Sequence, residues 1–423
     1  MKRQDWREPA EGNSRLRVVY AVTVPVAINY LWGQLRYMRE CGYEVTVISS
    51  PGDDLDRAAE VEGVQVIPLP MARELAPLQD LISLWRLWRV MRRIRPAITN
   101  VGTPKAGLLG GLASLLAGVP CRVYTLHGLR LETTEGLKCR MLVMAERFAC
   151  FCAHRMVCVS ESLRQKAESL GIGQTEKMRV LGSGSCNGID VAAYCVDGSA
   201  RQRAGELRRN LGIPEDAPVI GFVGRLTWSK GVSELLHAYH QVRMTLRDVR
   251  LLLVGRFEDG EPVPWKVRQA IEGDAQIILP GFVTDTTPYY HLMDVLALPS
   301  YREGFPNVVL EAHAAGKPVV AFRATGSVDA VVDGVTGILV SIGDVQGLAR
   351  ALELLVQHKS LNAEMGKAGR ERVRREFPQE RIWKALAQEY AGLLERCGLS
   401  LPKTLDQLPE SSPSGREPAL TQH

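Results

Sequence analysis

The stretch R-E-G-F-P-N-V-V-L-E places two carboxylates, Glu303 and Glu311, eight positions apart, and two carboxylates could act as a general acid and base. Pro306 fits the first position of a helix, where a missing N–H costs nothing, and Gly316 fits the helix end. The pattern therefore predicts a helix from about residue 306 to 315. One carboxylate would precede this helix, and the other would lie about 7 to 8 Å along its axis.

The start of that helix is a candidate anion site. The N–H groups of Asn307, Val308 and Val309 would point out of its N-terminus, an arrangement that favours a bound anion. A carboxylate cannot pair with that anion, so Glu303 and Glu311 fit hydroxyl groups on either side of it instead. A sugar joined through a diphosphate to a ribose has this order of hydroxyls, phosphates and hydroxyls.

Two cations earlier in the chain fit the same ligand. The stretch G-F-V-G-R-L-T-W-S-K-G puts Arg225 just past a predicted strand and Lys230 near the next helix start. Ligands of open parallel sheets bind at that edge. Two such cations could match two phosphate charges without a metal, each close pair contributing about 4 kcal/mol at an effective dielectric constant of about 20.

The elements that must position these residues form two similar halves. A chain of 423 residues is long enough for two domains. Strand and helix patterns alternate over residues 15–182 and again over 215–375, which predicts an α/β fold of two doubly wound, Rossmann-like domains. Residues 183–214, rich in Gly, Ser, Asp and Pro, are predicted to be a linker, and a ligand would bind in the cleft between the domains. The remaining predictions are a disordered extension (1–14), a C-terminal helix packing back toward the N-terminal domain (376–398) and a disordered tail (399–423).

Composition excludes several classes of protein. Apolar residues make up 46% and charged residues 23%, as in ordinary globular proteins, and the net charge of +5 suits an anionic ligand without demanding nucleic acid. The nine cysteines include no C-x-x-C pair, which argues against a zinc site and favours reduced thiols in the cytoplasm. The polar N-terminus does not resemble a signal peptide. The longest apolar run has about 14 residues, whereas a membrane span needs about 20.

The motifs together resemble those of the retaining glycosyltransferases of family 4, which have the two-domain GT-B fold. Their E-x7-E signature matches Glu303 and Glu311, and their G-R-x-x-x-x-K-G signature matches residues 224–231. The resemblance runs from about residue 16 to 395 and is strongest over 219–337.

The resemblance implies roles for individual residues. Glu303 would contact the donor sugar and Glu311 the ribose hydroxyls, while Arg225 and Lys230 would hold the diphosphate and no metal would be used. His127, in Y-T-L-H-G-L, would face the cleft and touch the sugar near its reacting carbon, although a lone histidine there also fits a satisfied turn. The other expected donor-binding residues are Gly224, Phe282 and Val283 (the last two with backbone facing the base), Gly304, Phe305, Pro306, Asn307, Val308 and Val309.

The first loop, T-V-P-V-A-I-N, departs from the family. Many members carry a glycine pair there, and its absence leaves the phosphate contacts of this loop unassigned. The variant resembles a subgroup that acts on lipid-linked sugars in capsule, exopolysaccharide or O-antigen assembly. The resemblance therefore implies a monomeric hexosyltransferase at the cytoplasmic membrane face. It would move a hexose or N-acetylhexosamine from a nucleotide sugar, with UDP the expected carrier, and retain configuration by front-face attack.

Other functions stay open. A two-domain nucleotide-sugar enzyme could be a disaccharide phosphorylase, which would need phosphate as co-substrate, or an epimerase, against which the E-x7-E argues. A transferase could also use a soluble small-molecule acceptor. A non-catalytic nucleotide-binding module is disfavoured by the intact set of motif residues.

Five further features of the sequence have more than one interpretation. In residues 81–95, apolar side chains recur at helical spacing beside Arg86, Arg89 and Arg93, which suits an anionic membrane surface as well as an ordinary packed helix. Lys105 could reach an acceptor phosphate or be a surface lysine.

The D-x-D at Asp54 is predicted to cap a helix rather than bind a metal. The helix pattern over 140–156, with its Met, Phe and Cys residues, is predicted to be core. The spacing of Gly182, Gly184 and Gly188 does not match a dinucleotide fingerprint.

Overall fold

The computed structural model describes residues 16–72, 76–194 and 198–402, and the side chains of 198–201 lie outside that description. The predicted extension, 1–14, and residues 403–423 of the predicted tail also lie outside it. Among the described residues, none of the helices combines the length and apolarity needed to cross a membrane.

The N-terminal half forms a parallel seven-stranded sheet in the order β3-β2-β1-β4-β5-β6-β7. Its central strands are buried on both faces, as expected for a parallel sheet between two helical layers, and they include buried polar residues such as Asn100. The strands are β1 (Arg17–Ala21), β2 (Glu44–Ser49), β3 (Gln65–Pro68), β4 (Ile98–Gly102), β5 (Cys121–Leu126), β6 (Arg155–Cys158) and β7 (Met178–Val180).

The C-terminal half forms a parallel six-stranded sheet in the order β10-β9-β8-β11-β12-β13. The strands are β8 (Val219–Val223), β9 (Arg250–Val254), β10 (Ile277–Gly281), β11 (Val295–Leu298), β12 (Val319–Phe322) and β13 (Gly337–Val340). Each sheet thus reverses its strand order once, between β1 and β4 and between β8 and β11. Ligands of doubly wound sheets bind at such reversals, beyond the carboxyl ends of the strands.

Fifteen α-helices connect and cover the strands in the described residues. In the N-terminal half they are α1 (Gln34–Glu40), α2 (Asp53–Glu62), α3 (Pro77–Ile94), α4 (Pro104–Leu116), α5 (Gly136–Cys152) and α6 (Glu161–Ser169), followed by α7 (Gly198–Asn210) inside the stretch predicted as linker. The later helices are α8 (Val232–Thr245), α9 (Trp265–Gly273), α10 (Thr287–Leu292), α11 (Asn307–Ala314), α12 (Ser327–Ala330), α13 (Val345–Gln357), α14 (Lys359–Glu376) and α15 (Gln379–Arg396).

Helices α3, α4 and α5 lie side by side on one face of the N-terminal sheet. Helix α4 packs against both α3 and α5. The crossovers that contain them all advance along the sheet in one direction, and right-handed crossovers then place their helices on the same face.

The last helix, α15, covers the opposite face of the N-terminal domain. Asn100 Nδ2 donates to the Tyr390 hydroxyl at 2.8 Å, and that hydroxyl donates to the Tyr20 hydroxyl at 3.1 Å. All three side chains are buried, so their polar groups satisfy one another rather than water. The last helix therefore packs against the first domain, although it follows the second domain in the chain.

Candidate active site

Three loops converge where the two sheets face each other. They follow β8 and β11 at the reversal in the C-terminal sheet, and β5 in the N-terminal sheet. The first loop carries Arg225 and Lys230, the second Glu303 and the third His127, so the structure brings together the four residues predicted to be catalytic.

Lys230 and Glu303 form a direct ion pair, with Nζ 2.5 Å from Oε1. Lys230 ends the 3-10 turn Trp228–Lys230, and Gly231 follows it at φ 69°. A Cβ on Gly231 would lie 2.0 Å from the Pro299 carbonyl oxygen, so this close approach between the two loops requires glycine. The pair joins the residue expected at the phosphates to the residue expected at the sugar.

Arg225 is also paired with a carboxylate. Its Nη1 lies 2.8 Å from Glu258 Oε2, in the loop after β9. Burial alone would lower the pKa of Arg225, but the Glu258 carboxylate and then Glu261 outweigh that effect and raise it. Preceding it, Gly224 has φ 146°, a conformation that favours glycine. Both cations expected to hold a diphosphate therefore contact carboxylates here.

Helix α11 begins one residue later than predicted. Pro306 is its N-cap rather than its first residue, and the Val309 N–H donates to the Pro306 carbonyl at 3.0 Å. The prediction that Val309 offers its N–H to an anion is therefore wrong, because this hydrogen bond already uses it. Asn307 and Val308 occupy the first two helical positions, where the helix supplies no acceptor. The Asn307 Oδ1 atom is buried and lacks a hydrogen-bond partner within the described residues.

The Glu311 carboxylate accepts a hydrogen bond from a buried tyrosine. The Tyr290 hydroxyl donates to Glu311 Oε2 at 2.6 Å, and Tyr290 is fully buried. Burial, and then the Glu311 charge, raise the pKa of Tyr290 well above its usual value, so the hydroxyl keeps its proton for this bond. Tyr194 packs edge-on against the Tyr290 ring at 6.0 Å and fixes its position.

His127 follows β5 directly and lies under Tyr30. The two rings stack with centroids 5.3 Å apart. Burial lowers the pKa of His127 to about 4, so the imidazole is neutral at neutral pH. Its Nδ1 lies 3.4 Å from Cys186 Sγ. Desolvation, followed by the Cys186 and Glu303 charges, raises the pKa of Tyr30 to about 12.

The domains touch at the residue after Glu303. The Ser160 hydroxyl donates to the Gly304 carbonyl at 2.7 Å, and a Cβ on Gly304 would lie 1.8 Å from the His127 carbonyl oxygen. Arg302 Nε donates to Thr133 Oγ1 at 2.7 Å, which adds a second contact across the cleft. The two domains are therefore in contact at Arg302 and Gly304, and the missing side chain of Gly304 permits the close approach to His127.

Three predicted residues lie apart from this cluster. Lys105 Nζ contacts Asp80 Oδ1 at 2.8 Å, near the N-termini of α3 and α4. Phe282 and Val283 follow β10 at the carboxyl edge of the C-terminal sheet, and the Arg256 guanidinium lies 5.6 Å from the Phe282 ring centroid. Phe305, by contrast, is buried close to the cluster, where its ring packs against Phe377 at 5.3 Å.

The D-x-D sequence lies in the first turn of α2, which begins at Asp53 with Gly52 as its N-cap. Asp54 is thus inside the helix and not the cap. Across the described residues, no group of three His, Cys, Asp or Glu side chains is arranged to hold a metal ion.

The sequence motifs did not identify three residues that contact the predicted site residues. Tyr30, Glu258 and Tyr290 each contact a predicted site residue or its neighbour, yet none falls in a recognisable pattern. The signal for Tyr30 was its place in the loop after β1, at the strand reversal where ligands bind. The partner of Arg225, Glu258, comes from a loop and the partner of Glu311, Tyr290, from the short helix α10, and the positions of both depend on tertiary packing.

Two family models match the chain, one in each domain. Residues 27–184 match the family model for a glycosyl transferase 4-like domain, and residues 217–358 match that for glycosyl transferases group 1. The Staphylococcus aureus capsular polysaccharide biosynthesis glycosyltransferase CapM is 34% identical over 379 residues, covering 90% of this chain and 98% of CapM. An Escherichia coli UDP-Gal:alpha-D-GlcNAc-diphosphoundecaprenol alpha-1,3-galactosyltransferase is 25% identical, covering 69% of this chain and 74% of its own.

Solved structures share the architecture. Anabaena HepE in complex with UDP and glucose has a TM-score of 0.76 at 22% identity, covering 89% of this chain and all of HepE. Sucrose-phosphate synthase from Thermosynechococcus elongatus has a TM-score of 0.76 at 20% identity, covering 90% of this chain and all of its own. The prediction of two facing Rossmann-like domains is thereby confirmed. The chain is a glycosyltransferase: it belongs to the family 4 glycosyltransferases and has their GT-B fold.

Proposed function

We propose that this glycosyltransferase moves a hexose or N-acetylhexosamine from a UDP-sugar to a lipid-linked sugar, with retention of configuration, during surface polysaccharide assembly. The observation that carries the proposal is the convergence of Arg225, Lys230, Glu303 and His127 at the closed seam between the domains. Two cations, a carboxylate and a neutral imidazole suit two phosphates and the hydroxyls of one sugar.

The donor would extend along α11. The sugar would lie against Glu303 and His127, and the diphosphate between Lys230, Arg225 and the first turn of the helix. The ribose would reach Glu311, whose orientation is set by Tyr290. The backbone after β10, at Phe282 and Val283, would face the base.

On donor binding, phosphate oxygens would replace carboxylate oxygens as partners of Lys230 and Arg225. Lys230 and Arg225 are now charge-compensated by Glu303 and Glu258, and phosphate oxygens would take over part of that role. Charge-assisted hydrogen bonds from these cations would stabilise the diphosphate as it leaves. The departing phosphate would accept the proton of the attacking hydroxyl on the same face of the sugar, without a metal.

His127 would act as a neutral group. With its pKa lowered to about 4 by burial, it carries no charge at pH 7 and can exchange hydrogen bonds with a sugar hydroxyl. A charged imidazole beside Arg225 and Lys230 would add a third cation to the pocket. The low pKa of His127 would therefore keep the sugar-binding group uncharged, while Arg225 and Lys230 would carry the positive charge that binds the phosphates.

The acceptor proposal draws on the named relatives. CapM is a capsular polysaccharide enzyme, and the E. coli relative acts on a diphosphoundecaprenol-linked sugar. A Campylobacter jejuni relative, 26% identical over 330 residues, is named for a diphospho-undecaprenol acceptor as well. Lys105 follows β4 at the strand reversal of the N-terminal domain, where an acceptor diphosphate could meet it. Such an acceptor would place the enzyme at the cytoplasmic face of a membrane.

Calorimetric titration with UDP tests the donor geometry. We expect Glu311→Ala to weaken UDP binding by about 10- to 100-fold, because a site that hydrogen-bonds both ribose hydroxyls loses them together. Glu272→Ala, at an exposed carboxylate on α9, is the matched control and should bind UDP like the wild type. Equal UDP affinity in Glu311→Ala and the wild type would rule out the ribose assignment.

A soluble acceptor is the alternative. A Corynebacterium efficiens D-inositol 3-phosphate glycosyltransferase is 32% identical over 232 residues, covering 52% of this chain and 53% of its own. UDP release stimulated by inositol phosphate in the absence of lipid would favour this alternative. Release that requires a lipid-linked sugar would favour the main proposal.

A further inference from the structure

Helix α3 exposes apolar side chains on its outer side. Ser83, Leu87 and Met91 face the core, while the solvent-facing side carries large apolar residues. Those residues are Leu78, at 80% exposure, Leu81, Ile82 and Trp85. A helix of an ordinary soluble domain places polar residues on that side.

Helix α5 also exposes large apolar side chains. The prediction that the Met and Phe residues of this helix are core is therefore wrong. Its buried residues are small or polar, namely Glu146, Ala149, Cys150 and Cys152. These small residues face α4, where a Cβ on Gly111 would lie at an ordinary van der Waals distance, 3.4 Å, from Cys152 Cβ. Close packing of small residues turns the large ones outward. The exposed set comprises Leu137, at 74%, Met141, Met144, at 68%, Phe148 and Phe151.

Helix α4 joins these two stripes into one surface. It packs between α3 and α5, and the single charged residue in its sequence, P-K-A-G-L-L-G-G-L-A-S-L-L, is Lys105. Leu116 is exposed, and Leu108, Leu112 and Leu115 are partly exposed. Scattered apolar residues are normal on a protein surface, but a continuous field across three helices marks an interaction site.

The charges of this surface have one sign. All three helices lie within the described residues 76–194, and every exposed charged side chain within them is a cation, while the exposed Glu135 is the N-cap of α5. These cations are Arg86, Arg89, Arg92 and Arg93 on α3, and Lys138, Arg140 and Arg147 on α5. The two acidic residues of the helices are compensated: Asp80 is paired with Lys105, and the buried Glu146 accepts the Tyr124 hydroxyl at 2.6 Å.

The surface also reaches the acceptor side of the cleft. Helices α3, α4 and α5 follow β3, β4 and β5 in the chain, α4 directly and the other two after a loop, so their N-termini lie toward the carboxyl edge of the N-terminal sheet, which faces the second domain. The two most exposed leucines of the outer stripes, Leu78 and Leu137, lie in the first turns of α3 and α5.

We infer that the outer face of α3, α4 and α5 docks onto an anionic phospholipid bilayer, inserting its apolar residues among the acyl chains and its arginines and lysines among the headgroups. Apolar area and cationic charge together are what interfacial helices use to bind anionic membranes. The inference extends the predicted contact of residues 81–95 to three helices. It rests on the proposed function, since it would deliver a lipid-linked acceptor to the cleft edge.

Cosedimentation with vesicles tests the inference. The probes are vesicles of phosphatidylcholine alone and of phosphatidylcholine mixed equally with phosphatidylglycerol. Three double variants are compared with the wild type: Leu81→Ser with Trp85→Ser on α3, Met144→Ser with Phe148→Ser on α5, and Arg86→Gln with Arg89→Gln. The matched control is Met244→Ser with Trp265→Ser, at side chains 83% and 68% exposed on the second domain.

We expect the wild type to partition onto the anionic vesicles at least about tenfold more strongly than onto the neutral ones. Each of the three double variants should lower the partition coefficient about tenfold, and the control should leave it unchanged. If the α5 variant bound anionic vesicles as strongly as the wild type, the inference that the docking surface extends over all three helices would be wrong. Equal binding to both vesicle types would overturn the anionic specificity.

Self-association is the competing outcome. A dimer that forms with rising concentration, disappears in the α3 and α5 variants and does not sediment with vesicles would overturn the inference in favour of a second copy. UDP release with a water-soluble acceptor analogue should be the same in the docking variants and the wild type. Loss of transfer with intact vesicle binding would count against the proposed function and not against the docking surface.

Discussion

The Lys230 ammonium and the Glu303 carboxylate lie 2.5 Å apart at the strand reversal of the second domain, with side-chain exposures of 20% and 11%. A buried charge pair costs desolvation, and removing one partner leaves the other uncompensated. Under the proposed function, the pair would hold a cation ready for a phosphate and a carboxylate ready for a sugar hydroxyl before any donor binds. Such preorganisation is what stabilises a leaving group without further rearrangement.

Lys230→Ala should lower turnover at saturating donor by about 100- to 1,000-fold, because the leaving diphosphate loses a preorganised cation. Initial rates of UDP release would measure this. Lys266→Ala, at the start of α9 and away from the cleft, serves as the control and should leave turnover unchanged. Unchanged turnover in Lys230→Ala would exclude the phosphate role.

Glu258→Gln should tighten UDP binding by about three- to tenfold. Arg225 now contacts Glu258 at 2.8 Å, and an amide would compete with the diphosphate for the guanidinium less strongly than a carboxylate does. Titration calorimetry gives the affinity, and Glu272→Gln on α9 supplies a surface control. Weaker UDP binding in Glu258→Gln would mean that the carboxylate positions Arg225 for the donor instead of competing with it.

Gly304→Ala should lower turnover by about 100-fold while the protein remains folded. A Cβ at this position would lie 1.8 Å from the His127 carbonyl oxygen, so the loop must move away from the first domain, and a shift of about 1 Å at a reacting centre has that effect. Gly260→Ala is the control, since its Cβ would meet nothing within 4 Å. Full activity in Gly304→Ala would show that catalysis does not need this closed seam.

Glu146→Gln should flatten the dependence of stability on pH. Burial raises the pKa of Glu146 from 4.5 to about 7, so the folded state holds a proton that the unfolded state releases. Stability is therefore lost as pH rises from about 4.5 through 7, by roughly 3 kcal/mol at most. The glutamine amide can still accept the Tyr124 hydroxyl.

Urea unfolding at pH 5 and pH 8 would measure this effect. The wild type should lose more unfolding free energy between the two pH values than Glu146→Gln does. Glu135→Gln, at an exposed carboxylate just before α5, should behave like the wild type. Parallel profiles for the wild type and Glu146→Gln would contradict a buried, protonated Glu146.

The sequence predicted elements best where proline and glycine mark their ends. The helix expected over residues 306–315 is found at Asn307–Ala314, because Pro306 and Gly316 leave little freedom at either end. The two-domain fold was also predictable, since buried parallel strands are continuous apolar runs.

Side-chain partners and helix orientation could not be predicted in the same way. Glu258 and Tyr290 reach the site from loops and a short helix whose positions depend on long-range packing. Helix α5 was misassigned because size usually indicates burial, whereas here the buried residues include the small Ala149, Cys150 and Cys152. Tyr30 follows β1 in the loop that lacks the family's glycine pair, and no local pattern indicates that its ring stacks on His127.

The most direct test of the central claim is a donor panel with a lipid-linked acceptor. Purified enzyme would be incubated with UDP-hexoses and UDP-N-acetylhexosamines and a membrane extract, with lipid products read by mass spectrometry. We expect one donor to add a single sugar mass to a lipid-linked sugar, with matching UDP release, and Lys230→Ala to lower both by about 100- to 1,000-fold. A sugar added only to free phosphate or to a soluble acceptor, or equal product from Lys230→Ala, would contradict it.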